Sequence, residues 1–145
     1  MTRYFDTSFL APLILQEATS AMVEEFVRAL PPDQLAISHW TLVEFSSLLA
    51  REVRMGRLSA AAAAAADFEF ESVTTESFVV LAPNPSDFAL ARRYLRTYDS
   101  GLRAGDALHL AIAKNNGAET VYSFDNVMAN AGTLLGIAVS RGPAG

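Results

Sequence analysis

Cysteine is missing altogether, which excludes thiolate-bound zinc, a thiol nucleophile and a disulfide framework in one step. The absence also fits a reducing compartment. No apolar run approaches the roughly 18 residues of a membrane-spanning helix. The start of the chain carries no secretory leader pattern, because Asp6 interrupts the only apolar run before Leu15. A cytoplasmic location is therefore expected. Glycine-rich loops with the spacing of phosphate-binding, dinucleotide-binding or nucleophile-elbow motifs are also missing. Positive charge is scarce: 11 Lys and Arg stand against 16 Asp and Glu, for a net charge of −5. Nucleic-acid partners usually select a basic surface. If four of the acids form a metal site, however, the remaining balance is 11 against 12, and the objection reduces to the lack of a strong basic field.

The 145 residues, 51% of them hydrophobic, suffice for one domain with a sizeable core. Arg3-Tyr4-Phe5 reads as a buried strand ending near Asp6, with Thr7 or Ser8 capping a helix to about Gln16. A second helix is expected over about 19–30 and is stopped by Pro31-Pro32. Leu35-Ala36-Ile37 reads as a strand, and Ser38 as the N-cap of a long helix that Gly56 ends. Seven successive alanines, Ala60 to Ala66, predict a further helix opened by Leu58-Ser59. A strand over 78–81 follows. Asn84-Pro85-Ser86-Asp87 then has the form of a capped helix start. An apolar helix over about 104–115, a strand over 120–124, a helix over 127–135 and an edge strand over 137–139 complete the chain. Short apolar strands alternating with helices predict an α/β fold with a parallel sheet covered on both faces.

Open parallel sheets build their sites at the carboxyl ends of their strands. Asp6 and Asp125 fall after the first and fourth strands, Glu44 nearly two turns into the helix leaving the second, and Asp106 in the first turn of the helix before the fourth. If strands one, two and four are neighbours, all four acids point to one end of the sheet. Glu44 and Asp106 lie in mostly apolar sequence, where a bare carboxylate is costly unless paired or metal-bound. Carboxylate clusters of this kind suit magnesium, with manganese as a substitute, and can share two ions across a phosphodiester. Taken singly, each acid has a structural reading as a cap, a turn residue or a match to a helix dipole.

Tyr-Phe-Asp6-Thr-Ser, Val-Glu44-Phe, Arg-Ala-Gly-Asp106-Ala-Leu-His-Leu-Ala and Tyr-Ser-Phe-Asp125 together resemble the PIN-domain ribonucleases, in particular VapC-type toxins. The resemblance spans essentially the whole chain, and the Asp106 block is its most specific part. It implies a single PIN-like domain over 1–145 with strand order 3-2-1-4-5. It also implies a magnesium-dependent endoribonuclease, a homodimer, and a small cognate antitoxin encoded beside it. By the same resemblance, Asp6, Glu44 and Asp106 match the metal-binding acids and Asp125 the more variable fourth, with Thr7, Ser8 and Ser123 as supporting hydroxyls.

Arg103, three residues before Asp106, is the candidate contact to a substrate phosphate. Arg51, Arg54 and Arg57, like Arg92, Arg93 and Arg96, read as solvated helix faces, with phosphate or acidic-partner contacts as the alternative. His109, one turn after Asp106, either reaches the site or packs in the core. The expected reaction is hydrolysis of RNA that leaves a 5′-phosphate and a 3′-hydroxyl. Three alternatives remain open at this level: a phosphatase with Asp6 as covalent nucleophile, a catalytically silent protein-binding module, and a non-toxin RNA-processing nuclease.

Overall fold

Tyr4 and Phe5 leave the first strand on opposite faces, and this alternation divides the interior in two. The computed structural model describes residues 1–145. Its five strands are β1 (Thr2–Phe5), β2 (Leu35–Ser38), β3 (Val79–Leu81), β4 (Ala118–Tyr122) and β5 (Val139–Ser140). They form one sheet in the order β3-β2-β1-β4-β5, and every neighbouring pair is parallel. The expected order 3-2-1-4-5 is thus the observed one. Seven helices connect the strands: α1 (Thr7–Leu10), α2 (Ser20–Arg28), α3 (His39–Arg54), α4 (Ala60–Ser77), α5 (Pro85–Leu95), α6 (Ala104–Asn115) and α7 (Asn126–Leu135).

One face of the sheet packs Tyr4, Ala36 and Val121 against α6. All seven residues from Ala107 to Ala113 are buried, so α6 is a core helix enclosed between the sheet and its neighbours. The other face is aromatic. Phe5 stacks on Tyr122 at 4.9 Å, Phe9 on Phe124 at 4.6 Å, and Phe45 on Phe70 at 4.0 Å. The last pair clamps α3 to α4, and burying each such ring stabilises the fold by roughly 1.5–3 kcal/mol.

Several boundaries differ from the sequence reading. Asp6, rather than Thr7 or Ser8, caps α1 by accepting from the Phe9 amide. That helix stops at Leu10 and continues only as a 3-10 turn over Ala11–Leu13. β4 starts and ends two residues early because Gly117, at φ +72°, turns the chain out of α6 straight into the strand. Asp125 therefore stands beyond the strand as the N-cap of α7. β5 sits at Val139–Ser140. The alanine run does form a helix. Ala63, Ala66 and Phe70 face the core while most of its other alanines are exposed. The caps at Ser38 and Asn84 are as expected, and Ser59 caps α4 by accepting from the Ala62 amide.

Candidate functional site

The carboxyl ends of β1, β2 and β4 open onto one cleft. Asp6 follows β1 directly, and α3 carries Glu44 up from the end of β2. Asp106 enters on the first turn of α6, and Asp125 caps α7. All four acids line a single cavity of about 560 Å³. A second cavity of about 470 Å³ shares Glu44, Asp106 and Asp125 with it and adds Arg103. The expected convergence is therefore present as a shared cleft. It is not a closed coordination sphere, since no three Asp, Glu or His side chains are grouped tightly enough to hold an ion as they stand.

Asp6 is the most confined of the four, at 5% exposure. Its Oδ1 accepts from Ser8 Oγ at 2.7 Å and from the Phe9 amide at 3.1 Å, and its Oδ2 accepts from Ser123 Oγ at 2.5 Å. Burial pushes its pKa up, against the pull of His109, Ser123, Ser8 and the Phe9 amide. Ser8 and Ser123, the hydroxyls named from the sequence, both donate to Asp6. Thr7 supports a different acid: its Oγ1 donates to Glu44 Oε1 at 2.7 Å.

Glu44 also meets His109, whose Nε2 lies 2.5 Å from Oε1. The imidazole is buried, and its Nδ1 sits 2.7 Å from the Tyr4 hydroxyl, which in turn is 2.9 Å from Ser38 Oγ. Burial alone would depress the His109 pKa. Tyr4, then Glu44 and Asp6, outweigh burial and push it up to about 10. Burial likewise tends to raise the Glu44 pKa, but the His109 contact and Thr7 overcome it and hold the carboxyl below its ordinary range. A protonated His109 donates from both ring nitrogens, to Glu44 and to Tyr4, and Tyr4 can pass its own proton on to Ser38. Of the two readings of His109, buried packing and contact with the site, the structure supports both.

Asp106 is raised chiefly by burial, and secondly by repulsion from Asp125, with Glu44 adding to it. A cation placed in the cleft relieves that repulsion. The donor set of carboxylates and hydroxyls, without a thiol, is the kind a hard divalent ion takes. Gly105 makes the crowding feasible, because a Cβ there would lie 2.9 Å from Glu44 Oε2 and 3.1 Å from Trp40 Cζ2. Trp40 and Gly105 carry no functional signal in the sequence taken locally, since what they do depends on contacts across 65 residues. Arg103 is exposed at the second cavity and forms no salt bridge. Of the other arginines, Arg51 lines the acid cavity, whereas Arg57 is taken up by Glu52 at 2.6 Å.

The family model for the PIN domain matches residues 3–134. Among solved structures, the fold is similar to VapC20 of Mycobacterium tuberculosis, described as a sarcin-ricin loop cleaving toxin. The two share 25% identity over 90% of this chain and 95% of that one, with a TM-score of 0.72. FitAcB of Neisseria gonorrhoeae (18% identity, 95% and 96% covered, TM-score 0.74) has the same fold. So does VapBC-1 of nontypeable Haemophilus influenzae (17%, 97% and 97%, 0.68). No curated protein matches the chain significantly. No helix is long and apolar enough to cross a membrane.

Proposed function

The chain belongs to the PIN-domain family, and from that premise we propose that it is a magnesium-dependent endoribonuclease, the toxin of a toxin–antitoxin pair. The observation that carries the reading is the shared cleft, where Asp6, Glu44, Asp106 and Asp125 line one cavity at the carboxyl edge of the sheet. The likeness to a toxin described as cleaving the sarcin-ricin loop supports RNA as the substrate class.

Asp6, Glu44, Asp106 and Asp125 are the residues that would hold the metal. When bound, magnesium or manganese polarises the phosphodiester and lowers the pKa of a water molecule. The protein's own part is positional. Ser8, Ser123 and the Phe9 amide fix Asp6 in one rotamer. His109 and Thr7 occupy Glu44 Oε1, while Oε2 lies against Gly105. Arg103 offers an unpaired guanidinium at the rim, suited to bidentate contact with a phosphate. A covalent phosphatase route through Asp6 is disfavoured, because such enzymes commonly place a second Asp two residues on and that position is Ser8 here.

The partner face follows from α3 and α4. Val43, Met55 and Phe68 are exposed there, with Phe68 at 74%, beside the alanine run. An antitoxin helix or extended tail can lay apolar side chains on such a surface and direct an Arg or Lys at the acids. The homodimer is proposed to use other exposed apolar side chains, such as Phe88, Tyr98 and Leu134. The test is incubation of the purified protein with structured and unstructured RNA, in magnesium and in chelator, followed by mapping of the ends. Magnesium-dependent cuts ending in 5′-phosphate and 3′-hydroxyl support the proposal, and intact RNA under every condition refutes it.

A further inference from the structure

Trp40 is the only tryptophan in the chain, and it stands in the wall common to both cavities of the cleft. Its Nε1 donates to the Gly105 carbonyl at 3.2 Å, and its ring lies against Gly105 where a Cβ would come within 3.1 Å of Cζ2. The indole is therefore pinned along one edge and half-buried against the α6 side of the core. The second cavity contains one other apolar side chain, Val127, which is 38% exposed and belongs to the first turn of α7. Arg103 also lines that cavity, and Asp106 and Asp125 connect it to the acids.

This juxtaposition has no need to exist for metal binding. A core role for Trp40 does not account for its presence in two open cavities, with an unpaired arginine and a second apolar residue alongside. We infer that the cavity between Trp40, Val127 and Arg103 is a nucleobase subsite, in which the unpaired base of a nucleotide next to the scissile phosphate stacks on Trp40 while its phosphate meets Arg103. The inference rests on the nuclease reading and specifies its substrate: single-stranded or looped RNA, whose bases are free to leave the helix stack. It also accounts for RNA binding by a chain with a net charge of −5. Stacking on an aromatic ring contributes affinity that needs no basic surface and tolerates any base, because every base has a π-face. The pinned indole loses little freedom when a base arrives, so that affinity is not spent on ordering the ring.

Because Trp40 is the sole indole, its emission reports on this cavity alone. The experiment titrates the full-length protein with a fluorescein-labelled single-stranded oligoribonucleotide, and separately with the same sequence as a duplex. Calcium replaces magnesium, and a gel confirms that the strand stays intact. Anisotropy of the label measures binding, and tryptophan emission, followed with unlabelled strand, measures stacking. The expected result is saturable quenching by the single strand with the Kd that anisotropy gives, and little quenching by the duplex. Trp40→Leu should weaken binding by about 5- to 150-fold, the range of one lost base stack, and Trp40→Phe by less. In cleavage assays the loss should appear mainly in KM. Binding with unchanged emission, or an unchanged Kd in Trp40→Leu, overturns the base subsite while the nuclease reading stands. If circular dichroism shows that Trp40→Leu is unfolded, the wild-type quench decides. If neither strand binds, the nuclease reading fails, and the subsite with it.

Discussion

His109 Nε2 sits 2.5 Å from Glu44 Oε1, linking two side chains 65 residues apart in sequence. Through Tyr4 and Ser38 the contact continues to the ends of β1 and β2. One acid of the cleft is thus tied to the packed interior, and its ionisation is linked to the fold. The His109 pKa is raised in the folded protein, to about 10 from an unfolded value near 6.5. The contribution of His109 to stability is therefore fully present below about pH 6.5 and is lost as pH rises toward 10, while that of Glu44, whose pKa is lowered, is lost on the acid side. Over that window the melting temperature should fall by several degrees in the wild type and stay flatter in His109→Gln, which can donate a hydrogen bond but cannot carry the charge. Parallel slopes in melts of the two proteins across the window would show that His109 is neutral.

Gly105 yields a prediction about space. In Gly105→Ala the new methyl group must displace Glu44 Oε2 or the Trp40 ring, since it would approach them to 2.9 and 3.1 Å. Overpacking of this kind costs about 1–3 kcal/mol, and the displaced Glu44 should abolish most cleavage. A variant that melts lower but cuts at the wild-type rate would mean that the position of Glu44 is not critical.

The antitoxin is expected to direct a cation at the acids. Replacing Asp6 and Asp106 together with Asn removes much of that attraction. Affinity for the proposed cognate antitoxin should then fall at least about 30-fold, in keeping with the 2–5 kcal/mol cost of breaking a desolvated charge pair. Calorimetry with the two purified proteins measures it. Equal affinity would leave antitoxin binding to the apolar face of α3 and α4 alone.

Much of this was legible in the sequence, for identifiable reasons. Asp6, Glu44, Asp106 and Asp125 each stand at or beyond a strand end or on a helix that begins there, so topology alone brings them to one cleft. Ser8 and Ser123 stand out only through the family resemblance, and their contacts with Asp6 come from the approach of the β1 and β4 ends. What was not legible depends on contacts between distant segments. Asp6 caps α1, an assignment that the competing hydroxyls of Thr7 and Ser8 obscure. His109 shares the Asp106 face of α6, and that spacing was the one local sign of its role. Its link to Tyr4 requires knowing that β1 packs on α6. Trp40 and Gly105 meet only because α3 and α6 converge beside the cleft.

A homodimer should be visible in light scattering at tens of micromolar, and charge introduced at its face should dissociate it. Leu134→Glu adds a carboxylate on an exposed position of α7, so folding should be little affected. A monomer in both proteins would remove the dimer from the account, and a dimer in both would place the interface elsewhere.

Whether the four acids hold a divalent cation is decided by Asp106→Asn. Burial and the neighbouring charges of Asp125 and Glu44 already raise the Asp106 pKa, so the metal-free protein carries repulsion in this cleft. Asn removes one charge at nearly constant shape. In chelator the variant should therefore melt at or above the wild-type temperature. Magnesium at about 100 times its Kd should stabilise the wild type by roughly 2.7 kcal/mol, and the variant by much less, with RNA cleavage lost. If Asp106 serves only the dipole of α6, the pattern reverses, with up to about 1 kcal/mol of stability lost in chelator. Melts of both proteins in magnesium and in chelator, run beside a cleavage assay, decide the matter: a variant that melts lower in chelator, keeps its magnesium response and still cuts RNA would contradict the account.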